Sequence, residues 1–149
     1  MNYKPVGGAQ ATITVPKNCT SVTLYATSAA KYQQQIFVSG GPLLGNATFQ
    51  SPAKTGQAAN ALSGMSCDSS YYNASNTPIA NITGLKYGDE FYAWFNYWGS
   101  EGQTSSTKVV ENDQDMGVNS AITVKAFSAD DDGSDSDYND AQLFCVFMP

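Results

Sequence analysis

Apolar and polar residues alternate with a period of two along most of this chain. That period belongs to half-buried strands and not to helices. Between Ala9 and Val15, Ala11, Ile13 and Val15 fall on one face and Thr12 and Thr14 on the other. Pro16-Lys17-Asn18 reads as a turn, and Ser21–Thr27 follows as a strand with Val22, Leu24 and Ala26 on its apolar face. Gln33–Ser39 is the next strand, ended by Gly40-Gly41-Pro42. Leu43–Ser63 is irregular apart from a short strand at Ala47–Gln50, and Gly64–Pro78 reads as a long loop rich in Ser, Asn and Tyr. Ile79–Thr83 is short and precedes the Gly84–Gly88 turn. Glu90–Trp98 is strongly β-forming, with Phe91, Ala93, Phe95 and Tyr97 on one face and Tyr92, Trp94, Asn96 and Trp98 exposed on the other. Thr107–Glu111 is expected to pair back on it as a hairpin. Ser120–Phe127 and Ala141–Phe147 close the series, the last with Ala141, Leu143, Cys145 and Phe147 inward. About nine strands with no convincing helix predict an all-β chain, a single antiparallel β-sandwich domain over residues 1–149.

Composition narrows the function. The net charge is −6, which disfavours nucleic acid as a partner. The chain has neither His nor Arg. Histidine-based triads, histidine general bases, most zinc sites and bidentate guanidinium clamps are thereby excluded. Cys19, Cys67 and Cys145 make an odd count, so at least one thiol stays outside any intrachain disulfide, while a Cys19–Cys67 bridge is left open. Met1–Gln10 is short, polar and Gly-rich, unlike a signal peptide, and no apolar run is long enough for membrane insertion. Localisation is expected to be extracellular or at the cell surface.

The acidic residues are unevenly spread. Six of the thirteen lie between Asp130 and Asp140, a stretch without Lys or Arg. Two carboxylates about 5 Å apart repel by roughly 3 kcal/mol at an effective dielectric near 20, so a folded loop of this kind calls for cations. Asp135, Asp137 and Asn139 alternate with Ser136 and Tyr138, and Asp140 follows directly. Alternation lets successive oxygens converge on one point, and an all-oxygen set suits calcium. The opening reads D-x-D-x-N like an EF-hand loop, but Asp140 stands where Gly is needed and Val146 where Glu is needed. The following segment is a strand and not a helix. A calcium loop joining the last two strands is therefore expected, the alternative being a solvated acidic loop with no specific ion. The loop could also suggest the paired carboxylates of a glycosidase, but an ion should claim these groups and no nucleophile–base pair accompanies them. An enzyme is not expected.

Asp-Gly-Ser-Asp-Ser-Asp-Tyr-Asn-Asp-Ala (132–141) closely resembles the signature loop of the calcium-mediated fucose/mannose-binding bacterial lectins, the LecB-type family. Thr12–Asn18 and Val22–Ala26 resemble that family's first two strands with a one-residue deletion between them. The resemblance covers about residues 9–39 and 120–147, and extra residues lie between. It implies two Ca²⁺ ions per chain, whose coordination is completed by hydroxyls of a bound monosaccharide. Carried over, the metal ligands are Asp131, Asp135, Asp137, Asn139 and Asp140, with Asp137 and Asp140 bridging both ions, plus the backbone carbonyl of Thr27. The family has Glu where Asp131 stands and usually Asn where Thr27 stands.

Ser28-Ala29-Ala30 matches the loop that tunes sugar choice in the family, and Ser28 resembles the fucose-preferring members. The sugar-binding residues implied are Ser28, Ala29, Asp132, Asp135, Asp137 and Asp140. The implied partners are glycans bearing fucose or mannose. The resemblance also implies a homodimer or higher homo-oligomer, and here the chain departs from it. Family members end in a Gly whose carboxylate enters the neighbouring subunit's site, whereas this chain ends Val146-Phe147-Met148-Pro149. Four carboxylates (Asp131, Asp135, Asp137 and Asp140) would balance the charge of two calcium ions. The rival expectation is a structural calcium module in which the ions only staple the loop.

Overall fold

The computed structural model describes residues 4–5, 9–43, 45–52, 63–69, 79–100, 102–106, 108–116, 121–132, 138 and 140–149. Thirteen strands and no helix lie among them. They are β1 (Lys4–Pro5), β2 (Gln10–Thr14), β3 (Ser21–Ser28), β4 (Gln33–Ser39), β5 (Ala47–Gln50), β6 (Ser63–Gly64), β7 (Ser66–Ser69), β8 (Ile79–Ile82), β9 (Glu90–Gly99), β10 (Gly102–Ser105), β11 (Lys108–Met116), β12 (Ile122–Asp130) and β13 (Ala141–Met148).

The strands form two antiparallel sheets. One has the order β1-β11-β12-β13-β3-β6, with β8 also paired to β3. The other has the order β10-β9-β4-β5-β7, with β2 also paired to β9. Two long strands each hold two short ones along a single edge. In β9, residues 90–94 take β2 and residues 96–99 take β10. In β3, residues 22–25 take β8 and residues 27–28 take β6.

The alternation read from the sequence is what closes the sandwich. Ala11, Ile13, Ile36, Val38, Phe49, Phe91, Ala93 and Phe95 of one sheet are buried. Val22, Leu24, Ala26, Phe127, Ala141, Leu143, Cys145 and Phe147 of the other are buried with them in one core cluster. A pleated strand sends every second side chain to the same face, so each strand contributes its apolar set to that core.

Several expectations change. The strand count exceeds nine because short edge strands, β1, β6, β7 and β10, form where the sequence reads as tail, loop or turn. Residues 66–69 of the expected long loop pair with β5, whereas 70–78 lie outside the described residues. The hairpin back onto β9 is made by β10, and β11 instead joins β12 in the opposite sheet. Tyr97 shares the pleat face of Phe95 yet is only half-buried, and Tyr92, Trp94 and Trp98 on the other face are half-buried as well. Cys19, Cys67 and Cys145 are buried thiols without a disulfide.

Candidate functional site

The acidic stretch sits at one end of the sandwich. β12 and β3 both pair antiparallel with β13, so they run parallel to one another and leave the sheet at the same end. Asp130–Asp132 therefore emerges near Ser28-Ala29-Ala30, which follows β3. A polar row ties the three strands just before that exit. Thr27 Oγ1 donates to Gln142 Oε1 at 3.4 Å, and Gln142 Nε2 donates to Ser128 Oγ at 3.1 Å.

Asp130 is the last residue of β12 and is wholly buried, Asp131 is buried, and Asp132 is exposed. One carboxylate oxygen from each lies within 4.8 Å of the others. Asp131 is the best-held member. Its Oδ2 accepts from Gln34 Nε2 at 2.9 Å, and its Oδ1 accepts from the Asp132 N–H at 2.6 Å. Its own N–H donates to Asp140 Oδ2 at 2.8 Å, which closes the two ends of the loop on each other. Burial pushes the Asp131 carboxyl above its ordinary range, and the charges of Asp132 and Asp130 add to this against the opposing hydrogen bonds.

Gln34 belongs to the opposite sheet, so its bond to Asp131 crosses the sandwich. The Gln34 backbone is fixed in turn by Ser51. The Gln34 N–H donates to Ser51 Oγ at 2.8 Å, and the Ser51 N–H donates to the Gln34 carbonyl at 3.0 Å.

The other expected site residues stand as follows. Asp140 is buried and joined to Asp131. The carbonyls of Ala26 and Ser28 both face β6, since they accept from the Met65 N–H at 3.0 Å and Ser63 Oγ at 3.5 Å. Successive carbonyls of a strand point to opposite sides, so the Thr27 carbonyl faces β13, the strand that begins directly after Asp140. Ser28 and Ala29 are buried, and the Ser28 hydroxyl lacks a hydrogen-bond partner. Asp135, Asp137 and Asn139 lie outside the described residues. Between and beside them the chain turns through a left-handed backbone at Tyr138, with φ of 54°.

Gln34 was not a sequence-level candidate. It lies 97 positions before Asp131, and no local pattern links the two. Asp130 was legible only as one more acid in the run; its burial at the strand end sets it apart.

The clustered groups offer oxygen alone, which fits a hard cation such as calcium. Each carboxylate oxygen of Asp131 accepts one hydrogen bond and retains a second lone pair for an ion.

No family model and no curated protein sequence matches this chain. Solved structures do. The C-terminal domain of the BC2L-C lectin from Burkholderia cenocepacia superposes with a TM-score of 0.60 at 14% identity, over 98% of this chain and 99% of that one. The high-affinity mannose-binding lectin of Ralstonia solanacearum gives 0.54 at 16% identity, over 93% and 96% of the two chains. A Chromobacterium violaceum lectin in complex with α-methyl-fucoside gives 0.53 at 12% identity, over the same 93% and 96%. The chain shares the fold of these lectins.

Proposed function

We propose that this protein is a calcium-dependent lectin that binds fucose or mannose-type monosaccharides without turning them over. The observation that carries the reading is the fold shared with a mannose-binding lectin and a fucoside-bound lectin, and the joining of Asp131 to Asp140 across the ends of the acidic loop is in keeping with it. Asp131, Asp135, Asp137, Asn139, Asp140 and the Thr27 carbonyl would hold two calcium ions. Bound calcium would supply open coordination positions for vicinal sugar hydroxyls. The chain's own part is to orient the carboxylates, through Gln34 on Asp131 and through the Asp131–Asp140 bond, and to keep cationic side chains out of the loop.

Asp132 is exposed and would present its carboxylate to a sugar hydroxyl. Ser28 and Ala29 would act from the rim, with fucose preferred over mannose. The glycans recognised would carry these sugars at their ends.

Calorimetric titration of L-fucose and D-mannose into calcium-loaded protein tests this. Saturable heat that disappears with EDTA and returns with calcium is expected, and fucose should bind the more tightly. Absence of heat from protein shown to hold calcium would refute it. A structural calcium module would then be the better account.

A further inference from the structure

A pocket of about 340 Å³ opens beside the acidic stretch and is not among the residues assigned to metal or monosaccharide above, Asp132 excepted. Its walls include Tyr32 and Tyr97, the hairpin residues Gly99, Gly102 and Thr104, and Asp132. The volume lies at the low end of ordinary ligand sites, roughly 300–1,000 Å³. We propose that this pocket is a second saccharide subsite, in which a pyranose ring linked to the calcium-bound sugar lies against the Tyr32–Tyr97 pair while Asp132 accepts its hydroxyls. The proposal rests on the lectin reading of the neighbouring loop.

The chemistry of the walls is that of a sugar site. The two tyrosine rings are 5.6 Å apart and inclined at 36°. They are half-buried, with an apolar body and a polar tip. A pyranose has the same division, with C–H groups on its faces and hydroxyls on its edge. Tyr32 is steadied by Lys31, whose ammonium lies 5.6 Å from the ring centroid. Tyr97 is steadied by Gly99, where an added Cβ would come within 3.2 Å of the Tyr97 ring. Gly99 thus lets the ring lie against the hairpin.

Thr104 is exposed on β10, directly cross-strand from Tyr97, and offers a hydroxyl to the pocket. Among the described residues that line it, Asp132 is the charged one, so the wall suits a neutral hydroxylated ligand better than an anion. Asp132 belongs both to this wall and to the residues proposed to meet the first sugar, so one glycan reaches both places.

The test compares a monosaccharide glycoside with disaccharides that extend the same fucose or mannose unit, titrated into the calcium-loaded full chain. At least one disaccharide is expected to bind about tenfold more tightly than the monosaccharide. Tyr32→Ala and Tyr97→Ala should each remove most of that gain and leave monosaccharide affinity unchanged. Thr104→Trp fills the pocket from an exposed position, without touching the core, and should do the same. Equal loss for mono- and disaccharide, or a disaccharide gain untouched by all three variants, overturns the subsite while the lectin reading stands. Disaccharide binding that survives EDTA yet is lost in Tyr97→Ala keeps the subsite and overturns the calcium reading. No binding of any sugar overturns both.

Discussion

Asp131 is in an uncomfortable position when no cation faces it. It is buried, and Asp130 and Asp132 place carboxylate oxygens within 4.8 Å. Its pKa in the folded chain is raised above the ordinary 3.8, burial being the largest cause. A carboxyl of this kind holds its proton more tightly folded than unfolded. Its contribution to stability is full below the ordinary value and is lost as pH rises through the folded value. In calcium-free protein, Asp131→Asn should therefore melt at or above the parent at pH 7, by an effect on the order of 1 kcal/mol. The difference should vanish towards pH 4. With calcium added the order should reverse, because the amide is the poorer ligand. Thermal denaturation of both proteins at the two pH values, with EDTA and with calcium, reads this directly. A variant less stable than the parent in EDTA at pH 7 would show that the Gln34 bond outweighs burial. At this scale the sequence was informative about chemistry and silent about partners: it named Asp131, but not the glutamine that holds it.

At the scale of elements, the turns carry two firm requirements. Asn18 adopts a left-handed backbone, φ 64°, in the turn read from Pro16-Lys17-Asn18, a conformation Asn tolerates better than most residues. Gly41 adopts φ 56° in the β4–β5 connection, and a Cβ there would overlap the Glu90 carbonyl oxygen at the start of β9. Gly41→Ala should thus cost at least about 2 kcal/mol, since it adds a backbone clash to an unfavourable φ. Urea denaturation measures it. A cost below about 0.5 kcal/mol would mean that the connection can move away from β9 without penalty.

The elements also show where periodicity stops being enough. Phe91, Ala93, Phe95 and Tyr97 look equivalent by alternation, and the first three are buried. Tyr97 is opposite Gln34 in the ladder, at the end of the sandwich that carries Asp131. It is half-exposed there and available to line a pocket. Likewise β10 and β11 are neighbouring in sequence, yet they pair in different sheets. β10 is short and polar and carries little register information of its own, so its partner is fixed by the longer β9.

For the whole molecule, calcium should act as a clamp on the end of the sandwich. The Gln34–Asp131 bond already joins the sheets there, and the Asp131–Asp140 bond joins the loop's ends. A ligand that binds only the folded state at a hundred times its Kd adds about 2.7 kcal/mol. In a chain of this length each kcal/mol moves the melting temperature by about 2–4 °C. Millimolar calcium should then raise the midpoint by roughly 5–10 °C over EDTA in a thermal-shift experiment. Magnesium should give less, because it sheds its waters reluctantly. Equal midpoints in calcium and EDTA would remove the clamp and the calcium site with it.

The sequence by itself determined the strand class and the core. Period-two alternation is a local property, and the residues it selected, from Ala11 and Ile13 to Cys145 and Phe147, are those buried between the sheets. The density of carboxylates after β12 is local as well, and it pointed to an oxygen-rich cation site without any long-range information. The tertiary structure alone decided which strands are neighbours, that β3 and β12 end together, that Gln34 reaches Asp131 across the sandwich, and that Tyr32, Tyr97 and Asp132 share one pocket. These are contacts between residues far apart in the chain. They depend on how sheets pair and pack, and the alternation of a single strand carries no record of its partner.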